Sequence, residues 1–227
     1  MFSSTSSANV PLALSWSGGK DSALTLSALR NQGARVQALI TTVTDVYDRI
    51  SMHGVRRDLL ARQVEALDIP LVEIVIPAGC SNTVYDARMA YAFASRALSG
   101  VEGVAFGDLF LADVRAYREA RLAESGRRGL FPLWGRNTGE LAREFISTGF
   151  KAIIVCVDPH RLDASFAGRD YDEDLLADLP SSVDPCGERG EFHTFVRAGP
   201  IFGKPIACKR GEVVERDGFV FHDLLAL

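Results

Sequence analysis

The apolar run "PLALSW" (11–16) breaks off at Ser17-Gly18-Gly19-Lys20-Asp21-Ser22, and apolar residues then return at helical spacing in "ALTLSALR" (23–30). A buried strand that passes into a helix through two glycines leaves the first N–H groups of that helix without partners. Together with the positive end of the helix dipole, these donors form an anion site. Gly18 and Gly19 accept positive φ and let an anion approach bare backbone. Lys20 adds a mobile cation, and Ser17 and Ser22 add hydroxyl donors. Asp21 would repel a phosphate unless a divalent cation stood between them, so its presence implies Mg²⁺. The plain alternative is a capped helix after a glycine turn; six such residues in this position favour the anion site. The spacing matches neither G-x-x-x-x-G-K-[ST] nor G-x-G-x-x-G, which sets aside the usual P-loop and the dinucleotide fingerprint.

Short apolar runs continue to alternate with amphipathic ones. Strands are expected at 11–16, 35–43, 70–77 and 103–108, and helices at about 21–31, 55–67 and 83–98, with an irregular loop before the second helix. That alternation predicts an α/β fold with a parallel sheet and helices on both faces. The glycine-rich "GRRGLFPLWGRNTGE" marks a joint, placed near 127–131. The chain is accordingly divided into a nucleotide-binding part, 1–128, and a smaller C-terminal α+β part, 129–227. Asn137 and Glu140 form a capping-box pattern ahead of "LAREFIS". Residues 151–158 read as a fifth strong strand, and the tail from Cys186 reads as short strands and hairpins.

The chain of 227 residues has a formal net charge of -4, which argues against a surface built to neutralise a nucleic acid. Cys80, Cys156, Cys186 and Cys208 form no C-x-x-C pair, so they read as thiols in a reducing compartment. The Ser-rich start has no apolar signal core, and no apolar run reaches the ~18 residues of a membrane span. A cytoplasmic protein is expected.

The hexapeptide resembles the pyrophosphate loop of the adenine-nucleotide α-hydrolase-like superfamily, whose members cleave ATP between its α and β phosphates. The resemblance implies a five-stranded parallel Rossmann-like (HUP-type) sheet. It also implies an ATP site of Ser15, Ser17, Gly18, Gly19, Lys20, Asp21, Ser22, Thr41, His53, Gly107 and Asp108, with Lys20 and Asp21 catalytic and Asp21 acting through Mg²⁺. "SMHG" (51–54), "GD" (107–108), "PLW" (132–134), "GRDYDEDLL" (168–176) and "CGERGEFHTFVRAGPIF" (186–202) recur in that order. Over almost the full chain this pattern resembles the diphthine–ammonia ligase family. Such enzymes use ATP and ammonium to amidate the carboxylate of diphthine, a modified histidine, releasing AMP and pyrophosphate.

In the C-terminal motif, Glu191 and His193 would share a face if both lay in a strand. Two carboxylates and an imidazole can hold ammonium or take its surplus proton, which makes Glu188 and Glu191 catalytic candidates. Glu188, Glu191, His193 and Thr194 form the acceptor-site candidates. Diphthamide-forming members carry Glu-Gly-Gly-Glu-Tyr-Glu-Thr here. This chain has Arg189 for a glycine, Phe192 for the tyrosine and His193 for the third acid, so the acceptor half departs while the nucleotide half is kept. Asp108 reads as a ligand or a helix cap, Arg56 and Arg57 as a solvated face within reach of a phosphate, and Trp134 as a joint anchor. The expected function is an AMP-forming ligase using ATP, ammonium or an amine, and a carboxylate acceptor, with a homo-oligomer open. The alternatives are a modifier of RNA or another small molecule, and a non-catalytic ATP-binding regulator.

Overall fold

β1 (Leu12–Ser15) is buried on both faces, as an apolar run flanked by strands on each side must be. The computed structural model describes residues 10–51 and 53–227; the Ser-rich residues 1–9 and Met52 lie outside the described residues. β1 leads into α1 (Lys20–Asn31) and then β2 (Val36–Thr44), which pairs parallel to it. A tight turn brings back β3 (Arg49–Ile50) antiparallel to the end of β2. α2 (Arg57–Leu67), β4 (Leu71–Ile76), α3 (Asn82–Phe93), β5 (Gly103–Ala105), α4 (Ala112–Ala123) and β6 (Arg128–Leu130) complete the first layer.

The parallel strands lie in the order β4-β2-β1-β5-β6, with β4 and β1 on opposite edges of β2. The chain reverses its direction of winding at β1. The loops after β1 and β5 therefore diverge from one point at the C-terminal edge, where open α/β sheets bind ligands.

Four sequence expectations need adjustment. The fifth parallel strand is β6, three residues in the glycine-rich joint, and 151–157 belongs elsewhere. β5 stops at Ala105, so Gly107 and Asp108 stand on the loop beyond it. The second helix starts at Arg57, and the helical stretch at 83–98 ends at Phe93, followed by a 3-10 turn at Arg96–Leu98.

The second layer begins with α5 (Thr138–Ser147), capped by the Asn137 side chain, which accepts from the Glu140 N–H at 3.0 Å. β7 (Lys151–Val157), α6 (Glu173–Asp178), β8 (Phe192–Ala198), β9 (Cys208–Arg216) and β10 (Phe219–Ala226) follow. The strands form an antiparallel sheet ordered β8-β7-β10-β9. One apolar cluster joins the layers, running from Leu14, Trp16 and Leu59 to Phe145, Ile154 and Phe195. Among the described residues no helix is long and apolar enough to cross a membrane, and all four cysteines are free thiols.

Candidate functional site

The loop after β1 is moulded from both layers. Gly18 has φ 76°, and a Cβ there would lie 2.7 Å from the Gln63 side chain, so the position requires glycine. Its carbonyl accepts from Gln63 Nε2 at 3.0 Å and from the Val196 N–H of β8 at 2.9 Å. Gln63 is fully buried, accepts from Trp16 Nε1 at 3.0 Å and donates to the Val196 carbonyl at 2.7 Å. Thr194 Oγ accepts from the Lys20 N–H at 3.0 Å. Ser22 Oγ donates to the Gly19 carbonyl at 2.9 Å, and Ser17 Oγ accepts from the Gly19 N–H at 3.3 Å. Gly19 caps α1 with extended backbone and no side-chain cap, so a bound group meets the helix end directly.

A cavity of about 240 Å³ opens above this loop, lined by Ser15, Ser17, Lys20, Asp21, His53, Gly107, Asp108, Glu188, His193 and Thr194. The structure thus gathers sequence candidates from four separate segments, with Ser22 and Gly19 also on the wall, while Gly18, Thr41 and Glu191 do not line this cavity. Lys20 is 2% exposed; its Nζ contacts Asp21 Oδ2 at 2.9 Å, donates to the Cys186 carbonyl, and faces the Phe192 ring at 5.5 Å. Burial alone would lower the Lys20 pKa, but Asp21 beside it holds the ammonium above its ordinary value. Asp21 Oδ1 is buried with no hydrogen-bond partner. Among the described residues no group of three or more His, Cys, Asp or Glu forms a ready metal cage. Mg²⁺ typically takes one or two carboxylates and fills its remaining positions with phosphate and water, so the free oxygen of Asp21 fits that ion.

A second cavity of about 170 Å³ adjoins the first and mixes apolar walls (Ile40, Met89, Val104 and Phe106) with hydroxyl groups (Thr41, Thr42 and Tyr85). Thr41 Oγ donates to the Trp16 carbonyl at 2.6 Å, so its hydroxyl fixes the sheet edge.

Glu188 stands opposite the loop. Its Oε1 accepts from the Leu109 N–H at 2.7 Å and the Phe110 N–H at 3.4 Å, tying the C-terminal motif to the loop after β5. Burial, reinforced by the Asp21 charge, pushes the Glu188 carboxyl up to about 7 against the pull of those N–H groups. His53 and His193 lie against each other with ring centroids 4.4 Å apart and planes tilted by 41°. Burial and the Lys20 charge push His193 down to about 4, and burial, the adjacent His193 and the Lys20 charge hold His53 well below the usual range, so both rings are neutral at pH 7.

Glu191 does not share a face with His193. It precedes β8, is 2% exposed, and its carboxylate accepts from the Asp184 N–H at 3.1 Å and the Arg189 N–H at 2.9 Å. It braces the loop that presents Glu188. The arginines of "RRDLLAR" stay partly solvated, as expected, but do not reach the phosphate cavity: Arg56 pairs with Asp223 at 2.5 Å and Arg57 with Asp48 at 2.8 Å. Trp134 packs on Phe131 and Arg115, while Leu133 fills the core beside it.

The sequence reading missed Gln63 and Arg118, because each sits in a charged helical stretch whose pattern resembles a solvated face. Arg118 lies over the Phe106 ring at 4.4 Å and pairs with Asp108, Nε to Oδ2, at 2.8 Å.

A family model for "Diphthamide synthase N-terminal domain" matches residues 11–128, and one for "Diphthamide synthase C-terminal domain" matches residues 137–222. A diphthine–ammonia ligase of Schizosaccharomyces pombe is 28% identical over 218 residues, 88% of this chain and 36% of the relative. The human protein of that name is 36% identical over 122 residues, covering 50% of this chain and 45% of the relative. The mouse one is 29% identical over 235 residues, 90% of this chain and 85% of the relative. The chain thus spans about a third of the yeast relative, under half of the human one and most of the mouse one.

Proposed function

We propose that this chain, which belongs to the diphthamide synthase family, is an ATP-dependent ligase that adenylates a carboxylate and passes the acyl group to ammonia. The observation that carries the reading is the placement of Glu188, with its carboxyl near neutrality, across one cavity from the glycine loop and Lys20. ATP would set its phosphates on residues 17–22 and its nucleoside in the adjoining cavity of Thr41, Tyr85 and Phe106. Asp21 would hold Mg²⁺, which supplies charge neutralisation between the carboxylate and the phosphates. We take residues 1–128 as the nucleotide part and 129–227 as the part bearing the acceptor side.

An acceptor carboxylate oxygen attacks the α-phosphorus, and pyrophosphate leaves with the electrons of the broken P–O bond, stabilised by Lys20 and the end of α1. Glu188 then takes a proton from ammonium. The freed ammonia attacks the acyl carbon, AMP departs with the electrons of the C–O bond, and the nitrogen releases its remaining surplus proton to solvent to give the neutral amide. His193 puts a neutral imidazole where the relatives that make diphthamide carry an acid. That difference favours an acceptor without a fixed positive charge, since a quaternary ammonium seeks carboxylates or aromatic faces.

The test is product analysis with ATP, ammonium and a panel of carboxylates that includes diphthine peptide. AMP and pyrophosphate are expected together with an amide. ADP and phosphate, or tight ATP binding with no turnover, would overturn the reading. Lys20→Ala should reduce AMP release by about 100-fold, the usual scale for losing a group that stabilises developing charge; unchanged turnover would remove the loop from the mechanism.

A further inference from the structure

The phosphate cavity and the nucleoside cavity share Ser15, Ser17, His53, Phe106 and Arg118. A nucleotide spanning them has a fixed covalent order: base, ribose, α-phosphorus, then the outer phosphates. The atom at the junction is therefore the α-phosphorus, the centre under attack. Of the five shared residues, Ser15, Ser17 and Phe106 carry no charge, and His53 is held neutral by burial and its neighbours. Arg118 alone brings a full positive charge.

We propose that Arg118 is a further catalytic residue of this site, the one that binds the non-bridging oxygens of the α-phosphate as the acceptor oxygen bonds to phosphorus and pyrophosphate departs. The assignment rests on the ligase reading above. Lys20 is already engaged at the other end of the cavity by Asp21 and the Cys186 carbonyl, beneath Phe192. It suits the departing pyrophosphate and leaves the α-position without a cation of its own. Arg118 fills that gap with two features of a poised group. Its guanidinium lies over the Phe106 ring, with Cζ 4.4 Å from the centroid, which restricts its movement. Its charge is held in waiting by Asp108: Nη2 donates to Oδ1 at 3.3 Å, while Nε lies 2.8 Å from Oδ2 without a hydrogen bond and is left with no partner. A phosphate presents the same fork-matching geometry as that carboxylate, so the guanidinium can exchange one for the other. Asp108 then acts on the nucleotide indirectly, by positioning Arg118.

The experiment compares the unsubstituted protein, Arg118→Ala and Arg118→Lys for ATP binding and for AMP release at saturating ATP, with guanidinium added to the alanine variant. Arg118→Ala should lose about 100-fold or more in AMP release while its ATP affinity changes by less than about 5-fold, because the interaction strengthens in the transition state. Added guanidinium should restore part of the rate. Arg118→Lys, which keeps the charge and guards against loss of fold, should fall between the two because a point charge lacks the fork. Unchanged AMP release in both variants overturns this inference alone. So does a loss that lies wholly in ATP affinity, or an alanine variant that guanidinium does not rescue. Absence of AMP from the unsubstituted protein overturns the ligase reading and this inference with it.

Discussion

Glu188 shows how one side chain acquires a task from its surroundings. An exposed glutamate titrates near 4.5, yet this one is pushed up to about 7 by burial and by the Asp21 charge. At pH 7 it is divided between its two forms, the condition that best suits proton transfer. Amide formation should therefore rise with pH through about 7 as the carboxyl ionises. In Glu188→Gln, which keeps an oxygen to accept from Leu109, the rate should fall by about 100-fold and that inflection should vanish. A pH–rate profile of amide formation in both proteins checks this; an inflection that persists in the variant would assign the base elsewhere. The same shift has a stability consequence of definite sign. The native state favours the neutral carboxyl, so Glu188 contributes its stabilisation below pH 4.5 and loses it as pH climbs towards about 7. His193, pushed down to about 4, works oppositely: its contribution is present above pH 6.5 and lost as pH falls towards about 4.

Among the elements, those with local chemistry were legible in advance. The glycine loop between β1 and α1 and the Asn137 cap of α5 are written in residue types whose conformations are restricted by sterics or by side-chain bonds to the backbone. Asn137→Ala should cost about 1 kcal/mol, read in a denaturant titration, with little change in ATP binding because no residue of α5 lines the cavity. Elements fixed by long-range pairing were not legible. β6 has only three residues, one of them Gly129, and its strand character comes from lying beside β5. β7 is apolar enough for either sheet, and only its partners β8 and β10 make it antiparallel. The candidate site divides the same way. Lys20 and Asp21 announce themselves by their place in the turn. Gln63 depends on neighbours far away in the chain, and Arg118 and the bracing role of Glu191 depend on how irregular loops fold back, which residue pattern does not reveal.

At the scale of the whole molecule, apolar packing and ion pairs join the hydrogen bonds around the glycine loop in holding the layers together. The apolar cluster spans both, and Asp223 of β10 receives Arg49 at 2.7 Å and Arg56 at 2.5 Å from the first layer. The Asp223 side chain is 11% exposed, so removing it strands two arginines at a half-dry interface. Asp223→Ala should destabilise the protein by about 2–3 kcal/mol, less than for a fully buried pair. Urea unfolding followed at once by tryptophan fluorescence and by circular dichroism checks the value. Wild-type stability in the variant would show the cluster to be sufficient.

The bond from the Val196 N–H to the Gly18 carbonyl has a consequence for inheritance. The six-residue loop is cast in a mould whose two halves come from different stretches of the chain. A recombinant that received the first stretch with a foreign second one would carry every residue of the hexapeptide and still present its backbone at a different angle. Changes that retune the motif around His193 for a new acceptor are therefore felt at Gly18 as well. On the ligase reading, acceptor choice and nucleotide grip would be selected together, which would confine the paths by which such a protein can acquire a new substrate.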